Sequence, residues 1–263
     1  MRRLFTIGCS LTGYCYPTWA DILGVNFDEY YNFGIGGASN SYIYSTLLEA
    51  DAHIGLNAET DLVIAMISGF GRFSYLKKNA SGYPSWSCHG DMVNYCLANP
   101  DSELTPFYNL LWSDEYAIFQ SWVAVKSIKN LLIGKNIPHR ILLGIDNRSY
   151  LSINNTKFSS KVEEIYTLVE NKESFMEWMT LSIENADTPK FINEKGPDGH
   201  PSTAAHYKFI KEHLPELVTE KSKEFRDYWV ENFDYSDRQA QADKYYVEFA
   251  HQKNLAWRIP GRT

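Results

Sequence analysis

The chain has 263 residues, of which 44% are hydrophobic and 22% charged, a balance typical of a globular protein with one large core. Its 25 Lys and Arg residues against 32 Asp and Glu residues give a formal charge of −7. Without a broad basic surface, neither nucleic acid nor a membrane is expected as a partner. No apolar run approaches the roughly 20 residues of a membrane span, and the apolar run at the start is too short for a signal peptide. We therefore expect a cytoplasmic protein.

Short apolar runs alternate with longer helical patterns, which predicts β-α-β units around a mainly parallel sheet. The predicted strands, in chain order, are Leu4–Gly8, Glu29–Ile35, Asp61–Ser68, Arg140–Asp146 and the shorter Pro189–Asn193.

Apolar residues at helical spacing predict helices over Ser41–Leu56, Glu115–Gly134 and Ser160–Ile183, with another from Pro201 to about Leu217. Gly134 is a plausible end for the second of these. Its predicted inward side chains are Phe119, Trp122, Val123, Ile128, Leu131 and Leu132.

Two stretches depart from this alternation. Residues 72–112 are aromatic and rich in turn-forming residues, and they follow the third strand, so we expect an insertion that walls or covers a site at the sheet edge. Residues 219–263 carry aromatic residues at helical spacing. We predict a main domain over 1–218 and a helical C-terminal extension over 219–263 that packs on the same domain or joins two copies in a homo-oligomer.

The segment Gly8-Cys9-Ser10-Leu11 places a serine directly after the first buried strand. Parallel sheets bind their ligands at the carboxyl ends of their strands, so Ser10 is a candidate nucleophile. The alternative is that Ser10 caps a short helix from Trp19 to Leu23.

Glycines end the second strand, in the segment Gly34-Ile35-Gly36-Gly37-Ala38-Ser39. Glycine lets a backbone approach a ligand closely and present its N–H groups. A dinucleotide-binding motif would need its glycines after the first strand and an acidic residue after the second, and the chain has neither.

Asp198-Gly199-His200-Pro201 precedes the last predicted core helix. A serine nucleophile needs a histidine that accepts its proton and an acid that orients this histidine, which are the roles predicted for His200 and Asp198. The alternative is a turn and helix cap without chemistry. His206, predicted within that helix, is expected to pack or cap, and Asp146 after the fourth strand is a further candidate for the pocket wall.

The chain resembles the SGNH/GDSL hydrolase family in the motifs that contain Ser10, Gly37, Asp198 and His200. These motifs occur in the same order along the chain as in the family. The resemblance spans roughly residues 3–212. It implies a flavodoxin-like, three-layer α/β/α sandwich with a mainly parallel five-stranded sheet in the order 2-1-3-4-5. It also implies that the amides of Ser10 and Gly37 bind the oxyanion.

The chain departs from the family pattern in three places. Cys9 replaces the first-block Asp, and the last block is D-x-H where the family has D-x-x-H. The third-block Asn, which donates to the oxyanion, is missing, and Phe70 or a neighbour takes its position. We consider Asn40 as a replacement donor and Arg72 as a donor or a substrate-binding cation; the alternatives are a helix cap and a surface charge.

These residues predict a serine esterase or deacylase that forms an acyl-enzyme on Ser10 and acts on an ester, first of all an O-acylated carbohydrate. An acyltransferase with the same acyl-enzyme and a non-catalytic carbohydrate- or protein-binding domain stay open. No cofactor is expected. No metal is expected either, because the four cysteines form no CxxC pair and no cluster with histidine at zinc spacing.

Overall fold

A parallel sheet forms the centre of the computed structural model, which describes residues 1–78, 84–147, 158–171, 173–184 and 200–232. The strands are β1 (Arg3–Ile7), β2 (Glu29–Asn32), β3 (Asp61–Ile67) and β6 (His139–Leu143), in the order β2-β1-β3-β6. All three pairings are parallel. The mixed α/β fold with a mainly parallel sheet is confirmed. The fifth predicted strand, Pro189–Asn193, lies outside the described residues.

The chain reverses its direction across the sheet at β1. From β1 it moves to β2 on one side, then returns past β1 to β3 and continues to β6. Because crossovers between parallel strands are right-handed, this reversal puts the first connecting helix on one face and the later ones on the other. Ligands bind at such a switch point, beside the carboxyl ends of the strands. The turns after β1 and β2 therefore lie where a site is expected.

Helices cover the sheet in two groups. The described helices are α1 (Trp19–Gly24), α2 (Asn40–His53), α3 (Met92–Ala98), α4 (Thr105–Leu111), α5 (Asp114–Gly134), α6 (Ser159–Leu168), α7 (Phe175–Glu184), α8 (Thr203–His213) and α9 (Glu220–Asn232), with a 3-10 turn at Pro215–Leu217. On one side α5 packs against both α2 and α6, and on the other α1, α8 and α9 pack against one another.

Two helix predictions need correction. The single helix predicted over Ser160–Ile183 is two helices, α6 and α7. Between them, the side chain of Asn171 accepts from the Leu143 amide at 2.7 Å and donates to the Leu143 carbonyl at 3.0 Å, which ties the connection to the end of β6. The predicted inward face of α5 is also partly wrong, since Phe119 and Val123 are 40% and 37% exposed while Ala117 and Ala124 are buried.

The aromatic insertion contains an antiparallel hairpin that the sequence did not predict. Its strands are β4 (Arg72–Lys78) and β5 (Pro84–Asp91), and they form a sheet separate from the parallel one. α3 and then α4 follow the hairpin. Met92 and Cys96 of α3 and Leu104, the N-cap of α4, form a small apolar core with residues of β4. The insertion is thus a compact unit, separated from the end of β3 by four residues.

The described part of the C-terminal extension is α9, which packs against α1 and α8 of the same chain. Trp229 of α9 is 2% exposed and packs with Tyr16. Asn26 donates to the Leu217 carbonyl at 2.9 Å and to Ser222 at 2.7 Å. In the part of the chain described, no helix is long and apolar enough to cross a bilayer.

Candidate active site

Ser10 lies in a tight turn at the carboxyl end of β1. The Cys9 carbonyl accepts hydrogen bonds from the amides of Thr12 at 2.9 Å and Gly13 at 3.1 Å, which folds the chain back directly after the strand. Ser10 is 5% exposed. It does not cap α1, because the N-cap is Thr18, whose amide donates to the Asp21 carboxylate at 2.8 Å. The helix-cap alternative for Ser10 is therefore wrong.

The turn brings Ser10 to His200, 190 residues later in the chain. The Nε2 atom of His200 lies 3.0 Å from the Ser10 hydroxyl oxygen. His200 enters the site directly before α8, whose N-cap is Ser202, and Thr203 fixes that helix by donating to the Pro17 carbonyl at 3.0 Å. A neutral imidazole at this distance can accept the hydroxyl proton. Asp198 lies outside the described residues, so its orienting role stays a prediction.

A pair of tyrosines that the sequence analysis missed supports the His200 ring. Tyr14 stacks on the imidazole with ring centroids 4.3 Å apart and 17° between the planes. Tyr16 meets Tyr14 edge-on at 4.9 Å, and its hydroxyl donates to the Pro201 carbonyl at 3.0 Å. Tyr14 and Tyr16 therefore hold both the ring and the backbone next to it. The only sequence signal was aromatic residues close after the serine.

His206 lies in α8, six residues after His200. It is 1% exposed, and its ring is in T-shaped contact with the ring of Phe175, with centroids 4.8 Å apart. Burial, with a smaller contribution from the charge of His200, lowers the pKa of His206 from 6.5 to about 3. His206 is consequently neutral at physiological pH and packs in the core, which agrees with the sequence interpretation.

The turn after β2 lies directly against the turn after β1. The Ile35 amide donates to the Gly8 carbonyl at 3.3 Å. A Cβ on Gly34 would overlap the backbone of Gly13, so this approach requires glycine. Gly37 follows, with a φ of +75°, and a Cβ there would lie 3.1 Å from the Cys88 carbonyl oxygen of β5.

The amides of Ser10 and Gly37 are the predicted oxyanion donors. Neither of them donates a hydrogen bond to another residue within the described part of the chain. Their joint action on one oxyanion stays a prediction.

Asn40, the predicted replacement donor, has a structural role. Its amide nitrogen donates to the Ser68 carbonyl and to the Ser121 hydroxyl, both at 3.1 Å, and its oxygen accepts from the Ser68 amide at 2.8 Å. Since both N–H bonds of the amide are used, this arrangement leaves none for an oxyanion. Asn40 instead connects the start of α2 to the end of β3 and to α5.

Asn147, a buried asparagine four residues after β6, contacts the turn after β3 and was also missed by the sequence analysis. Phe70, at the position of the missing Asn, is 1% exposed, and its amide donates to the side chain of Asn147 at 2.7 Å. The Asn147 side chain also donates to the Ile145 carbonyl at 2.9 Å. Asp146 accepts a hydrogen bond from Tyr166 at 2.7 Å. Asn147 thus fixes the turn after β3, and no sequence motif indicated it.

Arg72 lines a cavity of about 340 Å³ between the hairpin, the start of α2 and α5. The cavity includes Ser39, two residues beyond Gly37, but neither Ser10 nor His200 is among its lining residues. The aromatic insertion thus forms one wall of this cavity, and its role at a functional site stays a prediction. Within the described residues, no three His, Cys, Asp or Glu side chains are grouped so that they could hold a metal ion.

The solved structures to which the chain is similar include a lipolytic protein. It is a member of the lipolytic protein G-D-S-L family from Veillonella parvula, with a TM-score of 0.41 and 12% sequence identity over 85% of this chain and 97% of that chain. A TM-score this low carries no functional conclusion. No protein-family model and no curated protein matches the sequence.

Proposed function

We propose that the protein is a serine esterase or deacylase whose nucleophile is Ser10. The observation that carries the proposal is the contact of 3.0 Å between the Ser10 hydroxyl and Nε2 of His200 at the switch point of a parallel sheet. A nucleophile and a base within hydrogen-bond distance at such an edge are the minimal requirement for acyl transfer through serine.

In the acylation step, the Ser10 oxygen attacks the carbonyl carbon of the ester while Nε2 of His200 takes the hydroxyl proton. The oxyanion of the tetrahedral intermediate would accept hydrogen bonds from the amides of Ser10 and Gly37. When the intermediate collapses, the bond to the alcohol breaks, and His200 returns its proton to the leaving oxygen. Water then attacks the carbonyl carbon of the acyl-enzyme while His200 takes a proton from it. The bond to Ser10 breaks, His200 returns the proton to the Ser10 oxygen, and the acid is released.

The absent third donor sets an expectation for the rate. An oxyanion-hole donor typically contributes about 100- to 1000-fold to kcat. Because the Asn40 amide is engaged with Ser68 and Ser121, two backbone donors would act alone. We therefore expect a slow hydrolase on simple acetyl esters.

The test is covalent labelling with a fluorophosphonate, which forms a bond from the serine oxygen to phosphorus and releases fluoride. Wild type should be labelled at Ser10. Ser10→Ala should lose the label and about 10⁴-fold or more of the hydrolysis of 4-nitrophenyl acetate. His200→Gln keeps a polar side chain but removes the base, so it should react with the probe far more slowly.

Ser68→Ala is the matched control, because Ser68 is also a buried serine at the carboxyl end of a central strand. It should retain labelling and hydrolysis. Labelling of Ser10→Ala at the wild-type rate, or unchanged hydrolysis in that variant, would contradict the proposal.

A further inference from the structure

The cavity under the hairpin contains one uncompensated charge. Arg72 is the single charged side chain among the described residues that line it. The Nη1 atom of Arg72 is buried without a hydrogen-bond partner, and in the described part of the chain its side chain forms no ion pair. A guanidinium keeps its charge at any physiological pH. A buried N–H of a cation without an acceptor is unfavourable, so a site of this kind is completed by an anion.

The acidic residue paired with Arg72 across the hairpin forms a hydrogen bond with another residue. Asp91 is opposite Arg72 in the register of the hairpin. Its carboxylate accepts from the Asn94 amide at 3.0 Å, as the N-cap of α3. Asp91 does not line the cavity. The hairpin thus presents the Arg72 side chain to the cavity without a neutralising carboxylate.

A second donor in the same lining lacks an acceptor. The indole N–H of Trp86 is buried and has no hydrogen-bond partner among the described residues, and Trp86 lines the cavity together with Arg72. Two unsatisfied donors on the two strands of one hairpin favour a ligand that brings several acceptor oxygens.

The remaining lining defines the rest of the ligand. Its hydroxyl groups lie on the hairpin, at the start of α2 and on α5, where they can bind the hydroxyls of a ligand, and its rings offer flat apolar faces of the kind that complement a sugar. The hydroxyls belong to Ser39, Ser41, Ser74 and Ser121, and the rings to Phe70, Phe73, Tyr75, Trp86, Trp112 and Tyr116.

We infer that this cavity binds an acidic monosaccharide through its carboxylate, a uronic acid being the simplest case. One arginine matches the single charge of a carboxylate and its two oxygens, whereas a doubly charged phosphate would call for more cations. A volume of about 340 Å³ lies at the lower end of the range for small-molecule sites. The inference does not depend on the proposed chemistry of Ser10, because binding requires no bond to break.

The test is a titration of the full chain with glucuronate, glucose and benzoate, followed by tryptophan fluorescence, since Trp86 and Trp112 line the cavity. Glucuronate should give a saturable change. Glucose, which lacks the charge, should bind to wild type about 10- to 100-fold more weakly than glucuronate does. Glucuronate should bind to Arg72→Gln more weakly than to wild type by the same factor. Benzoate, which lacks the hydroxyls, should also bind more weakly than glucuronate.

Arg140→Gln is the matched control, because Arg140 lies at the opposite end of the sheet and pairs with Glu170 and Glu216. It should bind glucuronate as wild type does. Ser10→Ala should also bind normally, which separates this site from the proposed esterase. A thermal scan of wild type needs no variant: glucuronate should raise the Tm more than glucose does.

Three results would overturn the inference. They are equal affinity of wild type for glucuronate and glucose, equal affinity of wild type and Arg72→Gln for glucuronate, and tighter binding of benzoate than of glucuronate. Loss of labelling at Ser10 with intact glucuronate binding would refute the esterase alone.

Discussion

At the scale of single residues, His206 makes the stability of the core beside His200 depend on pH. Its pKa falls from 6.5 to about 3 in the folded protein, so the unfolded chain binds a proton between these values that the folded chain does not. Stability should therefore rise with pH across this window, and the stabilisation should be complete above about pH 6.5 and lost as the pH falls toward 3.

We predict that His206→Gln flattens this dependence. One proton contributes a slope of about 1.4 kcal/mol per pH unit to the free energy of unfolding, and the variant should lose most of that slope between pH 4 and pH 6. Urea unfolding at several pH values measures it. His53→Gln, at an exposed position of α2, should keep the wild-type slope; an unchanged slope in His206→Gln would refute the assignment.

At the scale of elements, the buried amide of Asn40 joins a helix to the sheet. It satisfies both the amide and the carbonyl of Ser68, at 2.8 Å and 3.1 Å, just beyond the end of β3. Helix α2 begins at Asn40, so the same contact fixes where the helix starts relative to the strand. This is a structural function at the position where the sequence suggested a catalytic one.

Asn40→Ala separates the two roles. Because it removes the acceptor of the buried Ser68 amide and the shorter of two hydrogen bonds to the Ser68 carbonyl, we expect it to lower the free energy of unfolding by about 2–4 kcal/mol. Hydrolysis by the folded fraction should change by only a few-fold. Urea unfolding and kcat are the measurements, and Asn94→Ala, at an exposed helix position, should change stability by less than about 0.5 kcal/mol.

A loss of activity without a loss of stability would support the predicted role of Asn40 as an oxyanion donor. In that case kcat would fall by about 100-fold or more while the free energy of unfolding stayed at the wild-type value.

At the scale of the whole molecule, α9 is connected to the candidate active site through a series of ring contacts. Trp229 of α9 packs with Tyr16, Tyr16 meets Tyr14, and Tyr14 stacks on His200. The described part of the extension thus belongs to the support of the site. A role of the extension in a homo-oligomer stays a prediction.

Trp229→Ala should therefore affect both stability and activity. Removal of a tryptophan that is 2% exposed should cost about 3–5 kcal/mol of the free energy of unfolding. Displacement of the tyrosines should lower kcat by roughly 10-fold or more at a temperature where the variant is still folded.

Val230→Ala is the control, since Val230 is the next residue and is 47% exposed. Its stability and kcat should match wild type. Full kcat in folded Trp229→Ala would show that the ring contacts do not position His200.

Local patterns in the sequence predicted much of the sheet and the positions of its turns. The four strands of the parallel sheet begin within one residue of their predicted starts, because most buried parallel strands are short continuous apolar runs that few other structures share. The C-terminal limit of α5 at Gly134 was also correct. Such features depend on neighbouring residues alone.

Errors arose where packing decides the outcome. The largest apolar side chains of α5 were assigned to the core, yet small ones such as Ala117 and Ala124 face inward. Likewise, β4 has charged residues at its end, so its sequence is not typical of a strand. Pairing with β5 nevertheless gives its backbone groups hydrogen-bond partners.

Local periodicity and turn chemistry, which act over a few residues, were enough to predict the four strands of the parallel sheet and to place Ser10 and Gly37 in the turns that follow two of them. The contact of Ser10 with His200, the stacking of Tyr14 on that ring and the place of Arg72 in a cavity without a counter-charge became evident in the folded chain alone. These contacts join residues far apart in the chain. They follow from the order of the strands and the packing of the helices, which no local pattern encodes.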